Sequence, residues 1–215
     1  MSEERAALPD LIPIFPLAGV LLLPRARLPL NIFEPRYLAM TRDALGGARL
    51  IGMIQPSDPH EGGVNPAVYP TGCAGRIIAF TETDDGRYLI TLTGVSRFRV
   101  REELPLMSGY RRVVPDWRQF AADRDHTDLG FDRERLIRGL RLYFGQRQIQ
   151  TDWEMIGKAS GEHLVASVAM LCPFAPNEKQ ALLEAANLDA RAELLTALIE
   201  MAAVAATPEG GTGRH

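Results

Sequence analysis

A chain of 215 residues is long enough for one large domain or two small ones. Its 46% hydrophobic and 24% charged residues suit a folded globular protein and exclude a disordered or collagen-like one. The net charge, 24 − 27 = −3, gives no general pull toward nucleic acid or an anionic membrane.

The N-terminal MSEERAALPD is short and acidic and has no apolar signal core. The apolar run VLLLP that follows stops at Pro24, far short of the roughly 18–20 apolar residues of a membrane span. The expectation is a cytoplasmic protein. In LIPIFPLAGVLLLPRARLPLNIF, Pro13, Pro16, Pro24 and Pro29 forbid a helix. Leu28, Leu30 and Ile32 alternate with Arg27, Pro29 and Asn31, which is strand periodicity. The prolines place these strands at edges, bulges or strand ends. NIFEPRYLAM reads as a strand-to-helix corner: Asn31–Phe33 ends the strand and Glu34 stands at the helix start. Pro35 takes the first helical position. Tyr37, Met40, Thr41, Ala44 and Leu45 form the helical face that Gly46 closes. The carboxylate of Glu34 is expected to meet the exposed N–H groups there, so Glu34→Ala is expected to cost about 1 kcal/mol from cap loss. Arg36 is expected to pair with a nearby carboxylate.

RLIGMIQP is a short buried strand stopped by Pro56, and SDPHEGGVNPAVYPTG is a loop. CAGRIIAFTETDDGRYLITLTGVSRFRV is a hairpin turned by Asp85-Gly86, with Gly94 as a bulge or bend in its second arm. RRVVPDW is the last strand, ended by Pro115. Short, turn-bounded strands with one early helix predict a compact, partly closed barrel. After the polar linker AADRDHTDLG the pattern turns helical. Leu136, Ile137, Leu140, Tyr143 and Phe144 share one face. Asp152, Ser160 and Asp189 are cap candidates, Pro176 and Asn177 open a further helix, and Leu194, Leu195, Leu198 and Met201 form the last stripe. The fold class is therefore α+β: a β-domain over 9–119, a small helical bundle over 127–205 and a disordered tail over 206–215.

The motifs of common chemistry are missing. Gly157-Lys158 lacks both the first glycine and the hydroxyl of a phosphate loop, since Asp152 and Ala159 stand in those places. Lys158 and Ser160, two apart at a helix junction, suit a polar junction better than a catalytic dyad. Asp84 and Asp85 are turn residues beside Gly86. His60, His126, His163 and His215 are scattered, His163 as a packing residue, and no metal ligand set is assigned. Cys73 and Cys172 are read as separate buried thiols of a reducing compartment. No catalytic residues, no cofactor and no enzyme activity are assigned. Arg97, Arg99 and Arg101 alternate with Phe98 and Val100, near Tyr88, and form the one candidate nucleic-acid surface, although a solvated outer face or ion pairs to the chain's acidic residues is the favoured reading of them.

The stretch IPIFPLAGVLLLPRARLPLNIFEPRY resembles the opening signature of the LON substrate-binding domain, the N-terminal domain of Lon protease. Ile14, Phe15, Pro16, Leu17, Pro24, Leu30, Asn31, Ile32, Phe33, Glu34, Arg36 and Tyr37 match it. Gly75 to Ile78, then Gly94, Arg97 and Phe98 as G-x-x-R-F, follow at the family's distances. ASVAMLCPFAPNEKQALLE is similar to the bacterial members' helical stretch. The resemblance covers residues 10 to 203. It implies a PUA-like β pseudo-barrel followed by a helical bundle, and contact with unfolded polypeptides or protein clients in protein quality control. The ATPase and Ser–Lys peptidase domains of a full Lon protease do not follow here, so a stand-alone, non-catalytic LON-domain protein is expected. Phe15, Leu17, Leu30, Phe33 and Tyr37 are the candidate peptide-binding residues, with core packing as their other reading. An RNA-binding PUA-like module using Arg97, Arg99 and Arg101 is the alternative function.

Overall fold

Proline and glycine positions set most of the strand boundaries in the computed structural model of the chain, which describes residues 7–58, 65–125 and 130–205. His60, His126, His215 and the tail expected over 206–215 lie outside the described residues. By its contacts the chain divides into two compact units, Met1–His126 with Met170–Glu184, and Thr127–Ala169 with Ala185–His215.

Among the described residues the first unit carries six strands: β1 (Ile12–Pro16), β2 (Arg27–Ile32), β3 (Leu50–Ile54), β4 (Thr71–Glu82), β5 (Tyr88–Met107) and β6 (Tyr110–Asp116). They run in the order β2-β5-β4-β3-β1-β6, and β6 also pairs with β5. That second pairing closes a ring of β5, β4, β3, β1 and β6, with β2 attached outside it along the first part of β5. Only β1 and β3 are parallel neighbours. A pseudo-barrel with appended helices is thus the observed architecture. Ile12, Ile14, Leu50, Ile54, Ala74, Phe98 and Val113 fill its core. Phe98 is fully buried, and a Cβ added at Gly72 would stand 2.6 Å from its ring. The ring therefore occupies the room that the missing side chain leaves.

β5 is longer than its sequence pattern predicts. It runs 20 residues to Met107, and Ser108-Gly109, both at positive φ (49° and 83°), turn the chain directly into β6. That pair is a two-residue hairpin turn whose twist matches the flanking strands. Pro115 does not end β6: it pairs with Val100 inside the strand, beside a register shift between Val100 and Glu102, where a missing N–H costs little.

Helix α1 (Pro35–Gly46) follows the sequence reading and buries Tyr37, Met40, Thr41 and Ala44. It is tied to β6 by the Tyr110 hydroxyl, which donates to Asp43 at 2.7 Å. Burial first, and Asp43 second, push that hydroxyl from its ordinary 10 up to about 12. The folded value lies above the unfolded one, so folding favours the protonated phenol. Its contribution is complete below about pH 10 and is lost as the pH rises through 12. Urea unfolding of the wild type and Tyr110→Phe should therefore differ by about 1 kcal/mol at neutral pH and converge at alkaline pH. A gap that widened with pH would contradict this assignment.

Beyond β6, a 3-10 helix (Arg118–Arg124) takes in the first four residues of the expected linker, Ala121–Arg124. Helix α5 (Pro176–Glu184) groups with the strands and not with the other C-terminal helices. Its side chains show how. Lys179 Nζ donates to Gly19 O at 2.8 Å, Gln180 Nε2 donates to Thr71 O at 3.2 Å, and Gln55 Nε2 donates to Pro176 O at 3.0 Å. Leu182 and Leu183 are buried beside them.

The second unit contains α2 (Arg133–Gln146), α3 (Trp153–Lys158), most of α4 (Gly161–Leu171) and α6 (Leu188–Ala205). α2 packs on α6, with Gly139 against Ile199 and Arg135 donating to Glu200 at 2.8 and 2.6 Å. Asp152 and Ser160 cap their helices as read, through Glu154, Met155 and His163 N–H groups. The last helix differs. Asn187 caps it by accepting from Ala190 N–H at 2.8 Å, whereas Asp189 accepts from Gly130 N–H. Its buried stripe is Ala192, Leu195, Ile199 and Ala203, and Met201 is exposed. Neighbouring apolar residues on an alanine-rich helix leave the facing direction ambiguous, and packing against α2 decides it. His163 is exposed, not packed. Among the described residues no helix is long and apolar enough to cross a membrane.

Candidate functional site

The residues singled out by sequence do not gather at one place. Phe15 and Tyr37 are buried and stack on each other at 4.2 Å, with the Arg36 guanidinium 4.4 Å over the Tyr37 ring. Burial raises the Tyr37 hydroxyl above its ordinary value. Both are core residues, so they are withdrawn from the peptide-contact set. Leu17 and Leu30 are half-buried, and Phe33 is 62% exposed.

Glu34 occupies the N-cap position of α1 but makes no side-chain cap bond. Its carboxylate accepts instead from Arg36 Nε and Nη2, both at 2.9 Å. Pro35, at the first helical position, has no N–H to offer, and the guanidinium two residues on competes for the oxygens. The cap-loss cost expected for Glu34→Ala is therefore corrected to that of a half-exposed ion pair, about 0.2–1 kcal/mol.

Arg97 does not belong to an arginine face. It is 4% exposed, and its fork holds Asp123 through Nε at 2.9 Å and Nη2 at 2.7 Å. Nη1 donates to Leu183 O at 2.9 Å, and the guanidinium lies 4.5 Å over Phe120. Strand alternation puts Arg97 on the side of Arg99 and Arg101, but the 3-10 helix and α5 cover that end of the strand. Arg99 and Arg101 stay exposed. Arg101 adds to Arg118, the larger cause, in holding the Asp116 carboxyl well below the carboxylate range.

One accessible apolar surface of this unit, apart from the exposed Leu106 and Met107 at the far end of β5 and Leu171 at the end of α4, lies on an arm formed by β2, the start of β5 and the outer part of β4. The arm follows from its turn. Thr83 N–H donates to Arg87 O at 2.9 Å, Gly86 N–H donates to Thr83 O at 2.9 Å, and Gly86 sits at φ +78°. Asp85 accepts from Thr83 and from Arg87 Nε, and these bonds hold its carboxyl below the usual range. Asp84 and Asp85 thus build the turn, as read.

Register then places Leu30, Ile90 and Phe80 in one cross-strand row and Asn31, Leu89 and Thr81 in the next. Ile90 is buried, whereas Phe80 (38%), Leu89 (46%) and the bulged Ile78 (47%) are exposed. An open groove of about 430 Å³ crosses the strands between Pro29, Leu30, Asn31, Ala79, Thr81 and Leu89. Of the sequence candidates only Leu30 lies here. Ile78, Phe80 and Leu89 were missed. Their signal is the unbroken run Ile77–Phe80, which puts apolar side chains on both faces of a strand where alternation would hide one set.

Among the described residues no three of His, Cys, Asp and Glu come together as a metal site. Lys158 binds Glu154 and Ser160 caps α4, so the two side chains serve helix ends. Cys73 and Cys172 are buried thiols outside any disulfide.

The sequence-family model of the ATP-dependent protease La (LON) substrate-binding domain matches residues 11–201. Lon protease 2 of Myxococcus xanthus is 25% identical over 196 residues, 89% of this chain and 24% of that protein. Lon protease of Parabacteroides distasonis is 31% identical over 124 residues, 56% of this chain and 15% of that protein. The chain thus spans about a quarter or less of the length of these curated relatives. A crystal structure of a Lon N-terminal domain protein from Xanthomonas campestris superposes with a TM-score of 0.60 at 26% identity, covering 87% of this chain and 97% of that one. The N-terminal domain of a Mycobacterium avium complex Lon protease gives a TM-score of 0.62 at 13% identity, a likeness of fold alone.

Proposed function

The chain belongs to the LON substrate-binding domain family, and from that premise we propose that it binds polypeptide substrates without cleaving them. The observation that carries the reading is the exposed apolar arm: Leu30, Ile78, Phe80 and Leu89 offer aliphatic and aromatic contact to unfolded chain. The likeness to Lon proteases is confined to the substrate-binding part, which supports a role in selecting clients, as an adaptor in cytoplasmic protein quality control. The buried, unbridged Cys73 and Cys172 suit that reducing setting.

The experiment is capture of denatured proteins without ATP. A panel of reduced, alkylated and fluorescently labelled proteins is expected to bind, and their aggregation to slow in proportion to added chain. Ile78→Ser with Leu89→Ser should weaken both effects about tenfold while leaving the free energy of unfolding within about 0.5 kcal/mol, since both side chains are exposed and neither belongs to the Phe80–Tyr88 ring pair. No binding across the panel defeats the proposal. The RNA alternative lacks Arg97, which is engaged with Asp123, and rests on Arg99 and Arg101 alone.

A further inference from the structure

The two flanks of the arm differ in what their backbones offer. β2 is an edge strand, and Pro29 at its centre has no N–H. Antiparallel residues alternate between facing their partner strand and facing away. Thr83 N–H bonds to Arg87 O at the turn. Counting back from it, Thr81 and Ala79 face β5, whereas Phe80 and Glu82 aim N–H and C=O outward. The same count makes Thr91, opposite Ala79, face β4, so its β2 neighbour Pro29 faces away from β5, where a missing N–H breaks no ladder bond. Proline therefore blunts the β2 edge, and Arg27 adds charge there.

The β4 edge has neither proline nor charge over Ile78–Thr81, and beyond its bulge at Ile78 the stretch Ala79–Glu82 keeps regular register with β5. β3 leaves β4 at Arg76, and among the described residues no strand pairs with β4 on that side beyond it. Ile78, Ala79, Phe80, Thr81 and Glu82 are all exposed, and the first four carry no charge. Exposed edges of this kind are templates for a further strand. The ends differ in sign. Arg76 lies at the barrel end, Glu82 and Asp84 at the turn end, and Asp85 is already engaged by Arg87.

Resting on the substrate-binding reading above, we infer that the outer edge of β4, Ile78–Glu82, accepts an extended apolar segment of client polypeptide as an added antiparallel strand, with a basic residue at the segment's N-terminal side beside Glu82 and Asp84. Main-chain bonds to Phe80 and Glu82 give affinity that does not depend on client sequence, and Ile78 and Phe80 favour β-branched or aromatic side chains. An edge of five residues covers little area, which suits brief capture rather than stable complex formation.

The test uses the full chain and a labelled synthetic peptide, a lysine followed by alternating valine and threonine, read by fluorescence anisotropy. Glu82→Pro deletes an outward N–H without touching the β5 ladder, and Glu82→Ala is its control. Glu82→Pro should bind about tenfold more weakly than Glu82→Ala. Independently of any variant's folding, the same peptide N-methylated at alternate amides should bind the wild type about tenfold more weakly in one of its two methylation phases only, because one phase faces β4 and the other faces solvent. Amide exchange at Phe80 and Glu82 should slow on binding. Equal binding by both variants and both methylation phases, with protection elsewhere, overturns the edge inference and leaves substrate binding intact. No binding of this peptide or of any denatured protein overturns both.

Discussion

Replacing Arg97 by alanine is expected to cost about 3–5 kcal/mol in urea unfolding of the first unit. The side chain and its partner Asp123 are 4% and 9% exposed. Nε and Nη2 reach both carboxylate oxygens, and the Arg97 main-chain N–H donates to Asp123 Oδ2 at 2.9 Å. Without the guanidinium, Asp123 keeps a main-chain bond but loses its countercharge while still buried. That is the expensive way to break a buried pair. Leu183 O loses a donor from the same deletion, and Phe120 loses the cation over its ring.

Arg97→Lys should recover part of the loss, because an ammonium restores charge but not the planar fork. Arg97→Ala with Asp123→Ala together should cost less than the sum of the two singles, since no buried charge then stands alone. Additive costs would show that the pair is not the source of the stability. Arg97→Ala that unfolds like the wild type would remove the account altogether.

The same interaction shows where sequence reading stopped. Arg97, Arg99 and Arg101 alternate correctly for one strand face, and nothing local marks the first as buried. Its cover comes from Asp123, 26 positions on, and from Leu183, 86 positions on. Alternation reports a face, not what lies on it. Local signals did better. Asp85-Gly86 turned a hairpin and Pro35 began α1, because each needs only its neighbours' backbone geometry, whereas the C-cap expected at Gly46 falls one residue later, at Gly47, whose N–H donates to Ala44 O. The stretch NEKQALLE shows both sides. Its helix was legible, but the tasks of its polar residues were not. Glu178 caps the helix through Ala175 N–H, while Lys179 and Gln180 are buried as anchors to the sheet unit. The candidate surface was half legible for a related reason. Leu30 was read as a contact residue, but the open edge at Ile78 and Phe80 depends on β3 ending before β4 does. Strand lengths relative to one another are a tertiary fact.

Gly94→Ala is the second large effect, expected at about 3 kcal/mol. Sequence assigned Gly94 to a bulge, and the register does slip beside it, where Ala74 pairs with Ser96 and Gly75 with Gly94. The stronger reason is a neighbour. A Cβ at Gly94 would lie 2.0 Å from Leu23 O and 2.7 Å from its carbonyl carbon. These are backbone atoms and cannot rotate aside. The chain passes this close because Gly94 N–H donates to Ala26 O at 2.9 Å and Arg25 N–H donates to Gly94 O at 2.8 Å. Arg25, at φ 61°, then sends its guanidinium to Asp123 O and Asp125 O. Gly94 and Arg97, three residues apart in the signature, therefore hold the same 3-10 helix by two routes, one through the loop at 23–26 and one through the Asp123 carboxylate. Shared support predicts coupling. Gly94→Ala combined with Arg97→Ala should cost measurably less than the two added, once either route alone has released the helix. Gly145→Ala is the contrasting control: the site in α2 has nothing within 4 Å of an added Cβ, and alanine in a helix should stabilise by about 0.5–1 kcal/mol. Equal small effects at Gly94 and Gly145 in thermal unfolding would mean that the 23–26 loop yields freely, and the close approach would then not be what fixes glycine in this position.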